Sequence, residues 1–233
     1  MKPVLVFAGP SLPVRPVCGP AIRLLPPARC GDLIRALRED PAAIALVDGV
    51  FETAPSVWHK EILAVIDAGV PVYGAASLGA LRAAELDRFG MIGVGAIYAA
   101  YRDGGLESDA AVMVSHAPAE LGHRPLTLAL VDAEVVLRVA PLDPAERAVL
   151  TAIARRLNFR VRSWAAIVAA FADRFGAAAV ERVSGVIAAT AFSQKERDTA
   201  ELLERLATDR FGEAARCDVP QTLFLERLLT ACA

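Results

Sequence analysis

Short apolar runs alternate with helix-period stretches through the first half of the chain. Pro3 to Ala8, Ala42 to Val47 and Val70 to Tyr73 are apolar on successive positions and end in turn-forming residues. Such runs read as strands buried on both faces. Ala111 to Ser115 reads as a fourth. Between them, residues 31–38, 56–68 and 78–88 carry helical periodicity. Strands of this kind alternating with helices predict an α/β fold, a parallel-type sheet with helices on both faces.

The texture changes near Pro141, beyond which no run reads as a strand. Asp143-Pro144-Ala145-Glu146 combines an N-cap residue, proline at the first helical position and a carboxylate in the first turn. Helices are predicted over 144–157, 163–175, 177–190, 194–210 and 220–231. In the fourth of these, Leu202, Leu203 and Leu206 share one side while Glu201, Glu204 and Arg205 lie on the other. The expected organisation is an α/β core over residues 1–137 and an all-helical C-terminal region over 138–233.

Composition supports a folded protein and narrows its setting. With 55% hydrophobic and 22% charged residues in 233, a sizeable core can form. A net charge of −2 gives no global field toward nucleic acid. Cys18, Cys30, Cys217 and Cys232 form no Cys-x-x-Cys pair, so free thiols in a reducing compartment are expected. The apolar run from Val4 stops at Gly9-Pro10, too short for a signal-peptide core, and no uncharged stretch reaches the length of a membrane span. A cytoplasmic protein with no membrane contact is the expectation. Three histidines, widely scattered, suggest no metal site.

In a parallel sheet, ligands gather beyond the carboxyl ends of the strands. Three predicted strands end in polar or glycine-rich turns there: Gly9-Pro10-Ser11, Asp48-Gly49 and Gly74-Ala75-Ala76-Ser77-Leu78-Gly79. Ser77 lies between a strand and a helix with small residues at −2 and +2, a relaxed form of the nucleophile elbow in which Ala75 replaces the first glycine. The Leu78 N–H would then face a developing oxyanion, aided by the helix dipole. The competing reading makes Ser77 an ordinary N-cap. Trp58-His59-Lys60 offers two bases, with Arg82 a cationic neighbour for Lys60 or Asp48 an orienting carboxylate for His59. The pattern does not separate them. His116 and His123 flank a proline-containing loop and are further candidates at the same edge. Gly90-Met91-Ile92-Gly93-Val94-Gly95 has the wrong spacing for a dinucleotide fingerprint and reads as a tight bend. No cofactor is called for.

These same residues lie in blocks that resemble the TfuA-like family. The blocks are Val-Phe-Ala-Gly-Pro-Ser-Leu (6–12), Pro-Pro-Ala-Arg-Cys-Gly-Asp (26–32), Val-Asp-Gly-Val-Phe (47–51) and Val-Trp-His-Lys-Glu-Ile-Leu (57–63). Gly-Ala-Ala-Ser-Leu-Gly-Ala-Leu-Arg-Ala-Ala-Glu-Leu (74–86) and Phe-Gly-Met-Ile-Gly-Val-Gly-Ala-Ile-Tyr (89–98) follow in family order. The resemblance implies a partner of a YcaO-type enzyme in peptide backbone thioamidation, hydrolysing a ThiS-like carrier whose C-terminus is a thiocarboxylate. It implies a serine-lysine pair, which falls on Ser77 and Lys60. Gly9 and Ser11 would add oxyanion or positioning contacts, and Gly74 would help form a narrow slot for a glycine-ended tail. An adaptor that docks the YcaO enzyme without chemistry of its own is the alternative. Thr127 to Asp132 departs from the more polar segment the family leads one to expect, and the C-terminal helices carry no transferable motif.

Overall fold

The computed structural model describes residues 2–13, 16, 18–51, 54–214, 216–217 and 219–232. Its strands are β1 (Val4–Phe7), β2 (Ile22–Leu25), β3 (Ala43–Leu46), β4 (Val72–Ala75) and β5 (Ile92–Val94). The helices are α1 (Asp32–Ala36), α2 (His59–Asp67), α3 (Leu78–Leu86), α4 (Ala96–Arg102), α5 (Leu130–Val139), α6 (Pro144–Arg156), α7 (Trp164–Phe175), α8 (Ala177–Thr190), α9 (Gln194–Thr208) and α10 (Leu223–Cys232). No helix among the described residues is long and apolar enough to cross a membrane.

The sheet is parallel throughout, in the order β2-β1-β3-β4-β5. β1, β3 and β4 are buried at every position, as expected of central strands covered on both faces. One face packs Leu5, Phe7, Ile44, Leu46 and Val72 against α1, α2, α3 and α10. The other face packs Val4, Val6, Ala45 and Tyr73 against Leu202, Leu203 and Leu206 of α9. The apolar stripe of that helix therefore serves as half of the sheet's cover.

The chain divides into two units, one of residues 1–107 with 195–233 and one of residues 108–194. Those limits lie elsewhere than the 137/138 boundary read from the sequence, because α9 and α10 return to the sheet. The second unit gathers Val136, Leu137, Leu150, Ile167, Phe171, Val183 and Ile187 from α5 to α8 around one core. Within it, Asp132 accepts the Gln194 N–H at 2.7 Å and the Ser193 hydroxyl at 3.1 Å. The strand expected over 111–115 is absent: Asp109–Ala111 is a 3-10 turn. Ala111, Val112 and Met113 are buried, but among the described residues this unit offers no strand to pair with, only an isolated bridge between His116 and Pro125. Two strands were not expected. β2 is an edge strand carrying Arg23, and β5 is the Ile-Gly-Val of the segment read as a bend.

Candidate active site

The spatial order β1-β3-β4 makes the three predicted turns neighbours at the carboxyl edge of the sheet. Asp48, 2% exposed, ties two of them together. Its Oδ2 accepts the N–H groups of Gly9 (2.8 Å) and Ser11 (2.9 Å), and its Oδ1 accepts the Ser11 hydroxyl (2.7 Å). A carboxylate with three donors is a well-satisfied buried charge. The amides of Gly9 and Ser11, expected to face an oxyanion, are thus already spent on Asp48. Asp48 in turn is occupied by this turn and does not orient His59.

The third turn is drawn in by its glycines. A Cβ on Gly79 would lie 1.7 Å from the Leu46 carbonyl oxygen, and the Gly79 N–H donates to the Val47 carbonyl at 3.1 Å. A Cβ on Gly74 would lie 2.2 Å from the Gly79 carbonyl oxygen. Gly74 therefore works inside the sheet, letting the first turn of α3 press onto β4. The result is a short, forced passage from strand to helix. The Ser77 N–H donates back to the Ala75 carbonyl (2.7 Å) and Ala76 sits at φ +62, which together make a strained γ-turn. Such a backbone costs on the order of 1–3 kcal/mol. The strain falls on Ala76, one residue before the serine.

Ser77 occupies the N-cap position of α3, yet its side chain makes no capping hydrogen bond. Among the described residues its hydroxyl takes no partner, although the residue is only 3% exposed. The amides around it are used selectively. Those of Ala80 and Leu81 donate to the Ser77 carbonyl and that of Gly79 to Val47, while the Leu78 N–H has no partner among the described residues. Leu78 is fully buried. A buried N–H without an acceptor is uncommon. Here it stands next to an unspent serine hydroxyl at a helix N-terminus, an arrangement able to hold a developing oxyanion.

The lysine and histidine lie on α2. Lys60 Nζ donates to the Pro220 carbonyl at 3.1 Å, and no hydrogen bond joins it to Ser77 among the described residues. His59 Nε2 is paired with Glu85 Oε2 at 2.8 Å, and Arg82 reaches the same oxygen at 2.7 Å while its Nε donates to the Val57 carbonyl. Burial pushes the Glu85 carboxyl up, but its bonds to His59 and Arg82 outweigh this and hold it below the usual carboxylate range. Eight residues of helix separate Ser77 from Glu85, about 12 Å along the axis. His59 thus meets α3 well away from the serine. Neither Glu85 nor Pro220 was expected. The Arg82–Glu85 spacing at i, i+3 was a readable signal for the first, whereas a backbone carbonyl 160 residues from its donor leaves no trace in a pattern.

Glu61, next to Lys60, is fully buried and fixes α2 to α1 through the Leu33 N–H at 3.0 Å. Burial raises its pKa, against the lowering effect of surrounding backbone amides. His116 belongs to the second unit, where its Nδ1–H donates to the Ala117 carbonyl at 2.8 Å and its ring lies 5.4 Å from that of His123. No group of three or more His, Cys, Asp or Glu side chains able to hold a metal lies among the described residues.

A family model described as "TfuA-like protein" matches residues 48–163 of this chain. The match takes in Asp48, α2 with His59 and Lys60, and the whole of the Ser77 turn. No curated protein matches the chain.

Proposed function

We propose that this chain, a member of the TfuA-like family through residues 48–163, acts beside a YcaO-type enzyme in peptide thioamidation by releasing sulfide from a thiocarboxylated ThiS-like carrier. The observation that carries the reading is the Ser77 hydroxyl, held without a hydrogen bond at a strained turn beside the unpartnered Leu78 N–H. Strain and unsatisfied polar groups cost stability and cluster where function requires them. The rival in which Ser77 merely caps α3 loses its support, since the capping bond is not made.

In the proposed reaction Ser77 Oγ attacks the carbonyl carbon of the carrier's terminal thiocarboxylate, and its proton passes to the amine of Lys60. The Leu78 N–H holds the oxygen of the tetrahedral intermediate. The C–S bond then breaks, and the sulfur leaves with that bonding pair and the proton from the Lys60 ammonium, as hydrosulfide, which returns Lys60 to the neutral amine. Hydrosulfide is a stable anion near neutral pH, so the lysine ammonium suffices as the acid. Water, activated by Lys60, cleaves the acyl ester and returns Ser77 with a carboxylate-ended carrier. For its part in this sequence Lys60 has to leave the Pro220 carbonyl. His59, engaged with Glu85, is the weaker candidate for the base.

Purified Ser77→Ala and Lys60→Ala variants, given a thiocarboxylated carrier, are expected to lose at least a hundredfold in sulfide release. Undiminished release from Ser77→Ala would overturn the reading. The adaptor alternative has one observation in its favour, the exposed aromatic pair of Trp58 and Phe224, with ring centroids 6.5 Å apart. A Ser77→Ala protein that still binds the YcaO enzyme and still supports thioamidation would favour it.

A further inference from the structure

Helix α2 is accompanied along its length by chain from the far end of the sequence. The Ala214 N–H donates to the Gly69 carbonyl (2.9 Å), just past the C-terminus of α2. The Cys217 thiol donates to the Leu63 carbonyl in the middle of the helix (3.4 Å). Lys60, in its first turn, donates to the Pro220 carbonyl, and Phe224 of α10 meets Trp58 edge-on at the N-cap. As the numbers rise from 214 to 224, those of their partners on α2 fall from 69 to 58. These contacts form an antiparallel strap.

The strap is not uniformly held. Val219 and Leu225 are buried in the core beneath the sheet. The two contacts at the α2 N-terminus are exposed: Phe224 is 67% exposed and Trp58 38%. The exposed end is the one that engages Lys60. A general base has to bring its lone pair within hydrogen-bond reach of the proton it takes. An amine donating to Pro220 is occupied elsewhere.

We propose that the Pro220 carbonyl and the Phe224 ring form a latch that parks Lys60 away from Ser77, and that opening of this latch regulates the site. The step rests on the Ser77–Lys60 reading above. Phe224 pins the chain four residues from the carbonyl that takes the lysine, and Trp58 lies two residues before Lys60, so loosening the ring contact loosens the amine. An edge-to-face aromatic pair shifts an equilibrium by about two- to tenfold.

The test uses the full chain, whose only lysines are Lys2, Lys60 and Lys195. Acylation of each by an N-hydroxysuccinimide ester is followed by peptide mass spectrometry in the wild type and in Phe224→Ala. The latch predicts that Lys60 acylates about two- to tenfold faster in the variant, with Lys2 and the buried Lys195 unchanged. Sulfide release from the carrier rises in the same variant. An unchanged Lys60 rate overturns the latch. The reading on which it rests fails separately, through activity retained by Ser77→Ala, and that outcome leaves the labelling comparison intact.

Discussion

Replacing Gly79 by alanine would place a methyl carbon 1.7 Å from the Leu46 carbonyl oxygen, 2.5 Å from its carbon and 3.2 Å from the Val47 nitrogen. All three are backbone atoms of the central sheet and its edge, so no rotamer change relieves the overlap. Ordinary contact requires α3 to retreat by about 1.5 Å or more, which breaks the 3.1 Å bond from the Gly79 N–H to Val47. Overpacking costs about 1–3 kcal/mol and the lost hydrogen bond about 1 more. The better helix propensity of alanine returns up to about 1. The net expectation is about 1–4 kcal/mol, a fall in Tm of roughly 2–16 °C for a chain of this size. Gly185, within α8 and with nothing near its missing Cβ, is the matched control. Its alanine variant is expected to gain about 0.5–1 kcal/mol. Calorimetry on both variants reads the difference. Because α3 carries Ser77 at its N-cap, Gly79→Ala is also expected to lose sulfide release at temperatures where it remains folded. A Tm for Gly79→Ala equal to that of the wild type would refute the close approach of α3 to β3.

Two buried titrating groups give predictions of opposite experimental reach. The Glu61 pKa is raised by burial despite its backbone donors, so the stability it confers is full below its ordinary value of about 4.5 and is lost as pH rises through the raised folded value. Glu61→Gln, uncharged throughout, is therefore expected to gain on the wild type as pH rises from about 4 to about 8 in chemical denaturation; a constant difference would contradict the raised pKa. Burial, followed by its bond to Asp209 at 2.9 Å, pushes Tyr73 up to about 12. Its contribution is present below the ordinary tyrosine value of about 10 and is lost as pH climbs toward the folded one. Burial also raises Tyr98, so ultraviolet difference titration should show a late tyrosinate step whose amplitude Tyr73→Phe reduces, and an unchanged amplitude in that variant would contradict the assignment.

Three strands were legible because β1, β3 and β4 are buried on both faces and so read as continuous apolar runs. β2 escaped notice because an edge strand tolerates Arg23, and β5 because a glycine occupies the middle of three residues. That glycine has a steric reason: a Cβ on Gly93 would lie 2.3 Å from the Tyr98 ring. The run at 111–115 shows the converse, since a short apolar segment becomes a strand only where another strand can pair with it. The stripe of α9 was legible as an apolar face, but not the face of the sheet it would cover. At the site, local chemistry read well and long-range pairing did not. The convergence of the turns at Gly9, Asp48 and Ser77 followed from parallel strands ending together. The capture of the Gly9 and Ser11 amides by Asp48, and of Lys60 by Pro220, depends on atoms brought together only by the complete fold.

Attack by Ser77 on the carrier would leave an acyl group on its hydroxyl, and that ester can be detected directly. The protein is mixed with excess thiocarboxylated carrier, quenched in acid during turnover, and its peptides mapped by mass spectrometry. The carrier's C-terminal acyl group is expected esterified to Ser77, with both the adduct and sulfide release lost in Ser77→Ala. Sulfide released at the wild-type rate by Ser77→Ala, with no adduct on Ser77 in the wild type, would contradict it.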